Sequence, residues 1–225
     1  MILGSFSFAF AANDVNVPEF LNKEGIFVGD KNGDLMLDKT LTREEAVVLL
    51  ARLLKVEKEA EEFKVTEELP SFKDTKKIDP YWKPFIAWAE DNEYFKGHEG
   101  KREGEFGFGD NLTAKQYAIV LLRALGYEEA EDWKKAFAKA EELGLLKDVK
   151  ADEDDEIVRK AAAQMTFNAL GAKMKDSDKT LAEFLGIEMP VEEAEELEVE
   201  KVYTENLKEV MVKVNNGKLL DEVDV

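Results

Sequence analysis

The chain has 225 residues, 44% of them apolar and 36% charged, with a formal net charge of −19 at neutral pH and no cysteine. That length holds one large domain or two small ones, and the apolar share suits a real core under a well-solvated surface. The charge excludes general nucleic-acid binding, which needs basic patches to displace counterions, and argues against an anionic membrane surface. The lack of cysteine excludes disulfides and thiolate metal sites and fits an exported protein.

Residues 1–12 read Met-Ile-Leu-Gly-Ser-Phe-Ser-Phe-Ala-Phe-Ala-Ala. The run is apolar, too short to span a bilayer, and holds Ala9-Phe10-Ala11 in the A-x-A form of a cleavage site. The first basic residue is Lys23, so the segment reads as the tail of a secretory signal whose start lies upstream. The alternative is a short apolar arm packed on the core.

A segment then occurs three times, which divides the chain into units at 13–64, 65–127 and 128–175, each reading as helix, loop, helix. In the first unit Val17, Pro18 and Leu21 precede Gly25-Ile26-Phe27-Val28-Gly29. Asp30-Lys31-Asn32-Gly33-Asp34 follows. It looks like the front of a calcium loop, but Leu35 and Leu41 stand where an EF-hand needs glycine and a bidentate glutamate. A turn without metal is the expectation. Thr42 and Glu45 form a capping box, and Ala46, Leu49, Leu50 and Leu53 draw one apolar stripe on the helix behind it.

The second unit opens its first helix with Asp79-Pro80 as cap and first residue, followed by a stripe of Trp82, Phe85, Ile86 and Ala89. His98, the sole histidine, is expected in an exposed loop. Gly104 to Gly109 is glycine-rich but no phosphate loop, because no Gly-Lys-Ser/Thr follows. Thr113 and Gln116 repeat the capping box before Tyr117, Val120, Leu121 and Ala124. In the third unit Trp133, Ala136, Phe137 and Ala140 form the first stripe. Val158 and Ala161 take the two box positions, so the box is lost while Ala162, Met165, Ala169 and Leu170 keep the second stripe. The stripe positions of Trp82 and Trp133 favour burial as core anchors, with sugar stacking the alternative.

Residues 176–196 read as a helical and acidic linker, with a short helix at Thr180–Leu185 closed by Gly186 and an acidic run at Glu192–Glu200. In 197–225, Val210, Val212 and Val214 alternate with other residues and Asn216-Gly217 is a hairpin-type turn. A lone hairpin is marginal in water, so this part reads as the start of a β-rich domain.

Together these residues resemble the S-layer homology (SLH) domain family. Phe72-Lys73-Asp74, Trp82, Gly97 and Phe106-Gly107-Phe108 match its pattern in the second unit; Gly25-Ile26, Gly29 and Thr42-Arg43-Glu44-Glu45 match it in the first. The likeness covers about residues 14–175, and the tail resembles the Ig-like domains that often follow. The resemblance implies a mostly α fold, three helix-loop-helix repeats in a pseudo-threefold bundle with a short β-prone C-terminal tail, and ligand grooves between units. It implies non-covalent anchoring of a secreted surface protein to the cell wall through an anionic secondary cell-wall polymer, often one bearing pyruvate ketals. No cofactor, metal, nucleic-acid or membrane partner is implied, and no acid sits in a recognisable catalytic frame, so an enzyme is not expected.

The resemblance makes Arg43 the principal polymer contact. Thr42, Glu45, Gly29, Asp30, Gly97 and Trp82 complete the candidate site and Arg159 marks a second, weaker one. The chemistry agrees, because a guanidinium offers a carboxylate two parallel donors at a helix start that already favours anions. The bland alternative for Arg43 is a solvated residue on a capped helix, with Thr42 and Glu45 as caps. In the middle unit Ala114 replaces the arginine and Lys115 stands next to it. At −19 the chain repels an anionic polymer at long range, so binding needs a locally positive groove. The competing expectation is a structural S-layer unit with decayed ligand sites that assembles with copies of itself in a lattice.

Overall fold

Local signals set the helix starts. The structure, a computed structural model, describes residues 15–190 and the strand segments 199–206, 209–214 and 219–220. The chain is mostly helical, with eight α-helices among the described residues: α1 (Val17–Lys23), α2 (Arg43–Leu53), α3 (Glu57–Glu61), α4 (Lys83–Asp91), α5 (Ala114–Ala124), α6 (Trp133–Glu142), α7 (Arg159–Gly171) and α8 (Leu181–Leu185). Thr42 and Thr113 cap α2 and α5 through complete capping boxes with Glu45 and Gln116. Val158 caps α7 with no side-chain bond, as its missing hydroxyl requires. Thr180 and Glu183 box α8, which ends at Gly186 in the left-handed region, a conformation glycine adopts without a steric penalty.

The helices α2, α5 and α7 are more enclosed than one stripe predicts. On α2, Val47, Val48 and Ala51 are buried along with Ala46, Leu49, Leu50 and Leu53. α5 and α7 are likewise buried on most sides. Helices that are apolar all round belong in an interior. Three other helices cover them: α4 packs on α2, α6 on α5, and α1 on α7.

The segments that lead into these central helices join in a closed cycle of backbone hydrogen bonds. The Leu41 amide donates to the Ile157 carbonyl at 2.9 Å, Ile157 to Leu112 at 3.0 Å, and Leu112 to Leu41 at 2.9 Å. All three side chains are buried. The cycle satisfies buried polar backbone that no sheet or helix would otherwise pair.

Three expectations are corrected. The helix after Asp79-Pro80 begins at Lys83, with Pro84 in its first turn. Asp79 instead makes a turn, its carboxylate accepting from the Tyr81 amide at 2.9 Å and its carbonyl from Trp82 at 3.0 Å. Trp133 is not a core anchor: it is the first residue of α6 and 47% exposed. Trp82 is half-buried against Tyr81, and the tryptophan inside the core is Trp88. His98 is not solvated but partly enclosed, with Nε2 3.0 Å from Asp110 Oδ2.

Residues 15–189 belong to one compact unit; the strands beyond 190 belong to another. There β1 (Val199–Asn206) pairs antiparallel with β2 (Glu209–Val214), and β2 with β3 (Leu219–Leu220). The signal-like segment 1–12, the acidic run up to residue 198 and the Asn216-Gly217 turn lie outside the described residues.

Candidate functional site

Arg43 opens α2, and its amide donates to the Asp110 carbonyl at 3.0 Å. Its side chain turns inward, leaving the residue 6% exposed, which excludes the solvated alternative. Nε donates to the Phe106 carbonyl at 2.6 Å and Nη2 to the Lys96 carbonyl at 3.2 Å. The guanidinium carbon also lies 5.3 Å from the centre of the Phe106 ring and 5.6 Å from that of Phe95, within cation–π range. Burial pushes the guanidinium pKa down to about 10, against the opposing pull of Asp110, so the group is charged at neutral pH.

The loop that receives Arg43 is held by groups the sequence only hinted at. Buried Asp74, the acid of Phe72-Lys73-Asp74, accepts from the Phe106 amide at 2.7 Å and the Gly107 amide at 2.9 Å. Burial pushes its carboxyl up, but those amides outweigh burial and hold it below the ordinary value. Gly107 has φ +82°, and a Cβ there would sit 2.3 Å from both Asp110 Oδ2 and His98 Nε2. Only glycine fits. Gly97 serves a similar close approach, since its Cβ would lie 3.0 Å from the Gly104 Cα.

Beside Arg43 runs a groove of about 330 Å³, lined among others by Phe95, Gly97, Gln116, Arg123 and Trp133. Arg43, Lys96 and Arg123 bring positive charge to its walls and Glu99 and Glu131 bring negative. Glu131 bridges two of the cations: Oε1 accepts from Arg123 Nε at 3.0 Å and Oε2 from Lys96 Nζ at 2.5 Å. Burial raises its carboxyl pKa, but these two bonds more than offset that and leave it lowered. Arg123 is anchored from behind by the Tyr94 carbonyl at 3.0 Å from Nη1. The indole of Trp133 forms another wall. Lys115 Nζ lies 4.7 Å from its ring centre and pairs with Glu153 at 2.7 Å.

The predicted site residues therefore separate. Arg43 and Gly97 meet at the groove. Arg159 repeats the Arg43 arrangement elsewhere: Nε donates to Leu35 O at 2.9 Å, Nη2 to Val28 O at 3.1 Å, and the guanidinium lies 4.6 Å from the Phe27 ring centre. Gly29 and Asp30 belong to that second loop, not to the loop that receives Arg43. A Cβ on Gly29 would sit 2.6 Å from Asp34 O, and Asp30 closes the turn by accepting from the Asn32 amide at 2.8 Å and the Asp34 amide at 3.0 Å. Thr42 and Glu45 are occupied as caps, Glu45 also pairing with Lys39 at 2.7 Å. Trp82 is not among the groove-lining residues. Trp133, read from its stripe position as a core anchor with sugar stacking the alternative, lines the groove, as do Lys96, Arg123 and Glu131, which carry no local motif that would single them out.

Among the described residues no group of three or more histidine or acidic side chains is placed to hold a metal ion, and no helix is long and apolar enough to cross a membrane. No model of a known protein family matches the chain, and no curated protein matches it.

Proposed function

We propose that the helical unit is an SLH-type wall-anchoring module that binds an anionic, carboxylate-bearing cell-wall polysaccharide in the groove beside Arg43. The observation that carries this reading is the conjunction of Arg43, Lys96 and Arg123 with the half-exposed indole of Trp133 around one concavity, on a chain whose net charge is −19. A locally cationic groove is what an acidic chain needs to hold an acidic glycan, and an indole offers an apolar face to a sugar ring. The closed backbone cycle of Leu41, Leu112 and Ile157 supports three units arranged in a pseudo-threefold bundle. The signal-like start and the β-strands after residue 198 are consistent with an exported surface protein that continues into a β-rich part. Binding, not catalysis, is the activity proposed.

Pull-down with wall sacculi that carry their secondary polymer, against sacculi stripped of it, tests the reading. Retention by the first and not the second is expected; equal retention refutes it.

A second reading is favoured by one feature. Arg43, Lys115 and Arg159, in the first turns of α2, α5 and α7, are already satisfied within the protein: Arg43 and Arg159 by carbonyls, Lys115 by Glu153. On that reading the chain is a structural unit that assembles with copies of itself. Ordered arrays in electron microscopy from a protein that ignores both kinds of sacculi would support it.

A further inference from the structure

Arg43 is a poor first contact for a ligand acid group. Two of its nitrogens are committed to the Phe106 and Lys96 carbonyls, and aromatic rings stand close to it. Lys96 and Arg123 differ, because the partner they share in the groove is a side-chain carboxylate. Glu131 gives one oxygen to each, the geometry by which any carboxylate bridges an ammonium and a guanidinium.

We infer that Glu131 occupies the carboxylate subsite of the groove, and that the acid group of the ligand binds Lys96 and Arg123 by exchanging with it. The inference rests on the groove being the binding site and names the chemistry of its ligand. Glu131 ends a short 3-10 turn, Glu128–Glu131, and its side chain is half exposed. It can therefore rotate into water and be hydrated there. The exchange replaces one carboxylate by another, so the cations never stand unpaired. A neutral sugar offers nothing in return for the two broken ion pairs, and the displaced charge would stay uncompensated. Glu131 thus sets a threshold: only ligands with an acid group of carboxylate geometry enter fully. Arg123, tied to the Tyr94 carbonyl, stays in place through the exchange.

Calorimetry with the full chain tests this, using a hexosamine that bears a pyruvyl ketal, the same hexosamine without it, and a phosphorylated hexosamine. Wild type is expected to bind the first and not the second. Glu131→Gln keeps the size and one acceptor but removes the competing charge, and should bind the ketal sugar about fivefold tighter, as two half-exposed ion pairs would suggest. Unchanged or weaker binding by the variant, with wild type still binding, overturns the exchange and leaves the groove reading intact. Absence of binding by both proteins removes the groove reading and this inference with it. Preference of the variant for the phosphorylated sugar overturns the carboxylate class. Wild type alone gives an independent readout: on titration with the ketal sugar the side-chain carboxyl carbon of Glu131 should shift in the NMR spectrum. A shift at the Gly97 amide with none at Glu131 overturns the exchange without touching the groove.

Discussion

Arg43 Nε donates to the Phe106 carbonyl at 2.6 Å across 63 residues of chain, and Arg159 Nε donates to Leu35 at 2.9 Å across 124. Each arginine stands at the first position of a helix and ties it to a loop distant in sequence. Their first task is therefore to hold those helices to those loops, and any ligand role is added to that.

Arg43→Ala should destabilise the fold by about 3 kcal/mol, because it leaves the Phe106 and Lys96 carbonyls without their charged donor. Arg43→Lys should recover less than half of this, since an ammonium cannot reproduce the fork that reaches two carbonyls. Urea denaturation of the two variants measures it. An alanine variant as stable as wild type would contradict this tethering role and leave ligand contact as the residue's only purpose.

His98 makes stability depend on pH. Burial lowers its pKa first, and the nearby positive charge of Arg43 adds to that, while the bond to Asp110 opposes both; the net shift is below the ordinary 6.5. Between the folded value and 6.5 the unfolded chain therefore binds more protons than the folded one. Stability rises with pH wherever that holds, so acidification through 6.5 should cost stability until the folded ring is itself protonated. Arg102, which also pairs with Asp110, keeps that carboxylate neutralised in part. His98→Gln should flatten the melting temperature over this window alone. An unchanged slope would mean that other groups set it.

The helix starts at Thr42 and Thr113 were legible because a capping box is complete within four residues, whereas the box of Thr180 and Glu183 was not read from the sequence. Periodicity marked the apolar faces but not what covers them. Trp133 continues a stripe with Ala136 and Ala140 and is nevertheless exposed, because the first turn of α6 reaches past the core into the groove. Asp79-Pro80 misled for a related reason: the same aspartate that caps helices also makes turns, and here the turn came first. The groove itself was not legible. Lys96, Arg123 and Glu131 come from three separate segments, and only the packing of α5 against the 3-10 turn brings Arg123 to Glu131.

Val158→Thr should stabilise the chain by about 1 kcal/mol, the usual worth of a side-chain cap. Val158 sits at the α7 cap with φ −84° and ψ 159°, close to the −85° and 164° of Thr42 and Thr113. Threonine has the same shape as valine, so the hydroxyl can reach the Ala161 amide as its counterparts reach Glu45 and Gln116. Thermal melting decides it, and a loss of stability would mean that the partly buried site does not admit the hydroxyl.

The tryptophans separate folding from binding. Trp88 lies in the core, so Trp88→Ala should cost about 3–5 kcal/mol as large-to-small core changes do. Trp133→Ala removes a half-exposed ring whose main fixed neighbour is the Lys115 ammonium, 4.7 Å from the ring centre. Its stability cost should stay within about 2 kcal/mol, the range of a cation–π contact whose cation is buried. Retention on polymer-bearing sacculi should nevertheless fall about tenfold if the indole carries a sugar ring, a loss consistent with one buried aromatic contact. Lys115→Met serves as the control, because it removes the cation and leaves the ring. Retention lost equally in both variants would trace the effect to the Lys115–Trp133 contact that both remove, and retention kept in Trp133→Ala would remove the indole from the site.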